Sequence, residues 1–270
     1  MQRRLFSARI MAFLKKIFPA ILRSFAFVLA TVILVMPCLI DWRLPCLIFI
    51  KLFKRDNHVK KLVREAKNFC ELASTENHIS LLGTTDGKAV GTYIEHKFQK
   101  YLSENYDFKT GNSAKGIDLP GKHIMTDIKV TSHKQPQSSC PFQDSRQKIY
   151  GLGYNLLVFV YEKQDMDDYC KLQFVNCTFI DKERTSDYTI TKRLREMVKD
   201  GANKEDIISL LSDRGMPGDE LTHSSLADEI LSNPPKQGYL TISNALQWRL
   251  QYTRVISLGN SVLGVQNYDW

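Results

Sequence analysis

Residues 156–161 read LLVFVY, six consecutive apolar side chains between Gly151-Leu152-Gly153 and the charged Glu162-Lys163. A run this short, rich in valine and aromatics and bounded by turn residues, is a strand rather than a helix. A strand with no polar alternation is covered on both faces, which makes it the centre of a buried sheet.

The preceding sequence supplies the cover. Val59, Leu62, Val63, Ala66, Phe69, Cys70 and Ala73 recur at amphipathic-helix spacing, and Val90, Ile94, Phe98, Tyr101 and Leu102 predict a second helix over residues 88–102. Ile117 to Gly121 reads as a short strand ending in a turn, His123 to Ser132 as a longer strand, and Phe142 to Gly151 as a helix. The order helix, strand, strand, helix, strand predicts an α/β fold.

Composition matters mainly through its distribution. The chain of 270 residues carries a formal charge of +8, but residues 1–55 hold ten Lys and Arg against the single acid Asp41, leaving the other 215 residues at −1. That segment also contains seventeen uncharged residues, Ser24 to Ile40, and a second apolar run, Leu44 to Ile50. It is short for a membrane span, is interrupted by Pro37 and Pro45, and lacks a clear signal-peptidase site. Three readings stand: a membrane anchor, a targeting segment, or upstream sequence translated from a start placed too early, which the break in composition favours. Six cysteines without a C-x-x-C pair or zinc-site histidine spacing indicate a reducing, cytoplasmic setting. The organisation expected is a leader at 1–55, a core at 56–182 and a mainly helical region at 183–270.

The chemistry concentrates after residue 111. Side chains alternate along a strand, so Asp127, Lys129 and Thr131 share one face while Ile128 and Val130 take the other. Asp118 ends the preceding strand, so neighbouring strands would bring two carboxylates and an ammonium together. Two carboxylates suit Mg²⁺, which keeps waters and phosphate oxygens as its remaining ligands. A lysine beside such a site can orient a water and neutralise charge developing on phosphorus. Glu95 lies beside the apolar stripe of its helix, which turns its carboxylate inward or into a cleft.

Isolated D-x-K triplets are common on solvated strand faces, but here Ile117-Asp118, Asp127-Ile128-Lys129, the preceding helix and the following helix and strand occur in one order. In these residues the chain resembles the PD-(D/E)xK nuclease superfamily. More narrowly, GKAVGTYIEHKFQKYL, KGIDLP, DIKVTSHKQPQSSCPF and SRQKIYGLGYNLLVFVYEK look like a family of bacterial type II restriction endonucleases, over about residues 58–182. Ile117 replaces the usual proline, and Asp127 stands where glutamate is commoner. The resemblance implies a restriction-endonuclease-like core, a central mixed sheet flanked by helices. It further implies Mg²⁺ held by Asp118 and Asp127, a water positioned by Lys129, and Glu95 as an additional helix carboxylate. Gln147 and Tyr150 are similar to a glutamine and tyrosine of some relatives at different spacing, with packing the better account of Tyr150.

DNA contact then has to be local. Residues 122–148 carry a net +3, and the polar loop after the catalytic strand places Gln135 and Gln137 where amides suit an adenine edge. Residues 190–200, 204–213 and 224–231 predict helices, and residues 240–256 a long helix with Asn244, Gln247, Gln251 and Arg254 on one stripe, suited to groove readout or to solvent. The expectation is a homodimeric, Mg²⁺-dependent type II endonuclease acting on double-stranded DNA, encoded beside a companion DNA methyltransferase. Alternatives are a repair, resolvase or mobile-element nuclease on the same core, or a membrane-anchored non-enzymatic protein with a degenerate nuclease fold.

Overall fold

In the computed structural model, Leu156, Val158 and Val160 point into one apolar cluster and Leu157, Phe159 and Tyr161 into another, so the central run is buried on both faces. The structure describes residues 43–106, 116–243 and 249–270. The chain divides into two units, Met1–Phe53 and Lys54–Trp270, and the second holds every element below except the first part of helix α1.

Helix α1 spans Arg43–Thr75 and α2 Gly87–Asn105, whose first turn is capped by the Asp86 carboxylate accepting from the Lys88 and Ala89 N–H groups. Strand β1 (Thr126–Ser132) is followed by β2 (Gln137–Ser139), helix α3 (Ser145–Tyr150), β3 (Asn155–Asp165) and β4 (Cys170–Ile180). Helices α4 (Tyr188–Lys199), α5 (Lys204–Asp213) and α6 (Glu220–Ser232) come next. The chain then forms β5 (Thr241–Ile242), β6 (Arg249–Gln251), α7 (Thr253–Ser257) and β7 (Val265–Asp269).

The main sheet has the order β1-β3-β4-β7, with β1 parallel to β3 and the other pairs antiparallel. On one face α1 and α2 pack Phe69, Ile94 and Phe98 against Leu157, Phe159 and Phe179. Phe159 is wholly buried, and its truncation to alanine would cost about 3–5 kcal/mol. The opposite face carries a smaller antiparallel sheet, β2-β6-β5, whose Leu250 and Ile242 join Val158, Tyr252 and Val255. Helices α4 to α6 enclose a third cluster with Ile149 of α3. The result is an α/β protein with a mixed central sheet.

Several sequence expectations shift. The first short strand reduces to one antiparallel bridge, Leu119 with Thr126, and β1 begins at Thr126 because the Gly121 carbonyl turns the chain by accepting from the Ile124 and Met125 N–H groups. Helix α3 is shorter than expected: Asp144 caps its start, and Gly151 at φ +91° stops it. A side chain at Gly151 would also meet the Lys182 carbonyl at 2.8 Å.

The long helix over 240–256 is incorrect. Thr241–Ile242 and Arg249–Gln251 are strands, and among the described residues of this stretch only Thr253–Ser257 is helical. Ile242 and Leu250 alternate with polar neighbours and are needed to cover the main sheet, so burial at period two prevails over the helical stripe. Asn244 and Gln247 lie outside the described residues. The C-terminal third, although rich in helix, also adds β7 to the main sheet. Of the leader at 1–55, residues 1–42 lie outside the described residues and the rest begins helix α1; among the described residues no helix is long and apolar enough to cross a membrane.

Candidate active site

The site forms at the edge of the main sheet, where, among the described residues, β1 has no strand beyond it except the single bridge at Leu119. Alternation along β1 sends Ile128 and Val130 toward the helix-covered core and leaves Asp127 and Lys129 on the opposite face. Asp118, just before the bridge, folds back so that its Oδ2 accepts a 2.7 Å hydrogen bond from the Ile128 N–H. This contact fixes the Asp118 carboxylate between the neighbours of the strand it faces.

Lys129 Nζ lies 2.8 Å from Asp127 Oδ2, with the Asp127 side chain only 7% exposed and that of Lys129 23% exposed. Burial pushes the Asp127 carboxyl up to about 7; the Lys129 ammonium opposes the rise, and hydrogen bonding with Asp118 adds to it. Glu95, on α2, also rises to about 7, first through burial and then through the charge of Asp118 and a hydrogen bond with it. The same Glu95 accepts from Gln99 Nε2 at 3.3 Å. Asp118 is thus the acid whose charge bears on both Glu95 and Asp127, and the Lys129 ammonium pairs with Asp127.

Glu95 and Asp127 are both pushed toward their protonated forms, and added positive charge at the cluster would favour their ionised forms. Among the described residues no group of three or more acidic, histidine or cysteine side chains is arranged to hold a metal ion. The donor chemistry nevertheless fits Mg²⁺, which takes one or two protein carboxylates and fills the remaining octahedral positions with water or phosphate oxygens.

The surroundings hold residues that sequence reasoning did not single out. Thr131 is buried on the Asp127 face; its hydroxyl receives the Gln137 N–H at 3.0 Å and approaches the Gln135 and Gln137 carbonyls at 3.1 Å. Asn155 at the start of β3 donates from Nδ2 to the Ile124 carbonyl at 2.5 Å, accepts the Lys182 N–H at 2.9 Å, and donates its own N–H to the Met125 carbonyl. It clamps the turn that enters β1, where Met125 adopts φ +34°, a left-handed conformation rare for a residue with a side chain. Burial raises the Tyr154 hydroxyl, and the Asp127 and Asp118 charges add to the shift. Only Thr131 carried a sequence signal, its alternation with Asp127 and Lys129.

The remaining expected residues are placed as follows. Gln135 is exposed on the turn after β1, and Gln137 lies on β2 opposite Gln251 of β6. Arg254 stands on α7 with its guanidinium 4.0 Å from the centre of the Tyr188 ring. Gln147 and Tyr150 serve structure: Gln147 Oε1 accepts the Gln143 N–H, and the Tyr150 hydroxyl donates to the Asn233 carbonyl.

The chain is thus an α/β protein with a mixed sheet and an acidic cluster and a lysine at the sheet's edge. Residues 56–267 match the family described as type II restriction enzyme NspV, and the chain belongs to that family. It is 51% identical over 209 residues to the type II restriction enzyme NspV of Nostoc sp. (strain ATCC 29411 / PCC 7524), covering 77% of this chain and 94% of that protein. A crystal structure of the tetrameric restriction endonuclease SfiI bound to cognate DNA aligns with 80% of this chain and 83% of its own, with a TM-score of 0.41 and 12% identity.

Proposed function

We propose that this chain, a type II restriction endonuclease by family, hydrolyses phosphodiester bonds in double-stranded DNA with Mg²⁺, using Asp118, Asp127, Lys129 and Glu95. The observation that carries the reading is geometric: the Asp118 carboxylate is held by the Ile128 N–H, between Asp127 and Lys129 on β1, while the Lys129 ammonium lies 2.8 Å from the Asp127 carboxylate.

Asp118 and Asp127 would hold the cation, with Glu95 as the third carboxylate. When bound, the ion supplies Lewis acidity toward a phosphate oxygen and lowers the pKa of a coordinated water. Lys129 keeps its ammonium at the Asp127 carboxylate, where it orients the attacking water and offsets charge on the phosphate as the bond to the leaving oxygen breaks. Asn155 holds the entry to β1, so the spacing of Asp118 from Asp127 does not depend on a free loop.

Two-fold symmetric sites on DNA favour a homodimer, one active site per strand, and a companion methyltransferase would protect host DNA. The test is a plasmid digest with end-sequencing. Discrete fragments with one common sequence at their ends, formed with Mg²⁺ and suppressed by EDTA, are the expected result. Diffuse nicking, or cutting that persists in EDTA, would overturn the proposal.

A further inference from the structure

The three-stranded sheet β2-β6-β5 is two-sided. Its inner face carries Ile242 and Leu250, both buried, and Ser138, whose hydroxyl lies 2.6 Å from that of the buried Tyr252. Cross-strand partners share a face, so Gln137 with Gln251 and Ser139 with Arg249 stand together on the outer side. Ser139, Arg249 and Gln251 are exposed and Gln137 is half-buried. Among the described residues, the side chains of Gln137, Arg249 and Gln251 make no hydrogen bond or ion pair, so their donors and acceptors are unspent. Arg254 differs: its guanidinium is engaged by the Tyr188 ring and donates to the Thr241 hydroxyl at 3.3 Å.

We propose that the outer face of the β2-β6-β5 sheet, through Gln137, Arg249 and Gln251, reads base edges in the major groove of the substrate duplex, with Thr131 fixing this face relative to the catalytic strand. The inference rests on the endonuclease reading. A β-ribbon fits the major groove, where a glutamine amide pairs with the N6 and N7 of adenine and an arginine fork with the O6 and N7 of guanine. The charge is complementary, since Arg249 brings a cation and none of the face residues named brings an acid. The link to catalysis is covalent and short. Four residues separate β1 from β2, and the Thr131 hydroxyl, on the Asp127 and Lys129 face, binds both the N–H and the carbonyl of Gln137. A wrong base that displaced Gln137 would therefore pull on the strand holding the catalytic acid and lysine.

The test compares kcat/KM on the cognate duplex with kcat/KM on duplexes changed at one base pair, for wild type, Arg249→Ala, Arg249→Lys, Gln251→Ala and Gln137→Ala. Each removed base contact is expected to lower the preference for the cognate pair by about 10–100-fold at one position and leave the other positions unchanged. Arg249→Lys keeps the charge and loses the fork, so it is expected to lose the same discrimination while keeping the fold, which guards against a misfolded alanine variant. Preference ratios equal to wild type, or an equal fall on every duplex, would overturn the inference. Failure of the wild type itself to cut at a defined sequence would instead overturn the endonuclease reading.

Discussion

Asp118 and Ile128 are joined by a 2.7 Å hydrogen bond from the backbone N–H of one to the carboxylate of the other. Through it the acid that precedes β1 is held beside the acid within β1, although the two are nine positions apart in sequence. Glu95 reaches the same carboxylate from α2, so the cluster draws on three parts of the chain.

Lys129→Ala is expected to reduce the single-turnover cleavage rate by about 10²–10⁴-fold, the usual cost of losing a group that stabilises transition-state charge. DNA binding at the cognate site should persist, measured by gel shift. A wild-type rate in this variant would remove Lys129 from the active site.

The pH response follows from Asp127. Without metal the folded protein keeps its proton up to about 7, whereas the unfolded chain releases it near the ordinary aspartate value of about 4. Between those values the folded state binds more protons, so this group's contribution to stability is present at low pH and is lost as pH rises toward 7. In EDTA the melting temperature of wild type, compared with Asp127→Asn, is expected to fall over that window. Mg²⁺ binds the ionised acid, so its stabilising effect should grow with pH across the same range; a pH-independent effect would contradict the assignment.

Glu95→Gln distinguishes a ligand from a simple helix contact. Removing the like charge beside Asp118 is expected to stabilise the metal-free protein at pH 8 and to weaken Mg²⁺ binding in a calorimetric titration. Unchanged metal affinity would reduce Glu95 to a neighbour.

Asn155→Ala removes two buried side-chain hydrogen bonds, to the Ile124 carbonyl and from the Lys182 N–H. The expected loss is roughly 2–5 kcal/mol of folding stability, with a fall in kcat larger than any change in KM. Thermal denaturation and steady-state kinetics measure both.

Strand β1 was legible in the sequence because its chemistry and its alternation agree. Asp127 and Lys129 fall on the polar face, Ile128 and Val130 on the apolar one, and LLVFVY admits only a buried strand. Helix α5 was equally readable, with the Asn203 and Asp206 capping box fixing its start. The β2-β6-β5 sheet was not. Residues 240–256 hold a polar stripe at helical spacing, but Leu250 and Ile242 are required on the face of the main sheet, a demand set by residues about ninety positions away. Glu95 was visible only as an inward carboxylate; its meeting with Asp118 depends on how α2 crosses the edge of β1, which no local pattern encodes.

Plasmid cleavage with wild type and Asp127→Asn side by side, each in Mg²⁺ and in EDTA, tests the metal-dependent endonuclease most directly. Discrete, identically ended fragments from wild type with Mg²⁺ alone, and none from Asp127→Asn under either condition, are expected. Cutting by Asp127→Asn at the wild-type rate would contradict it.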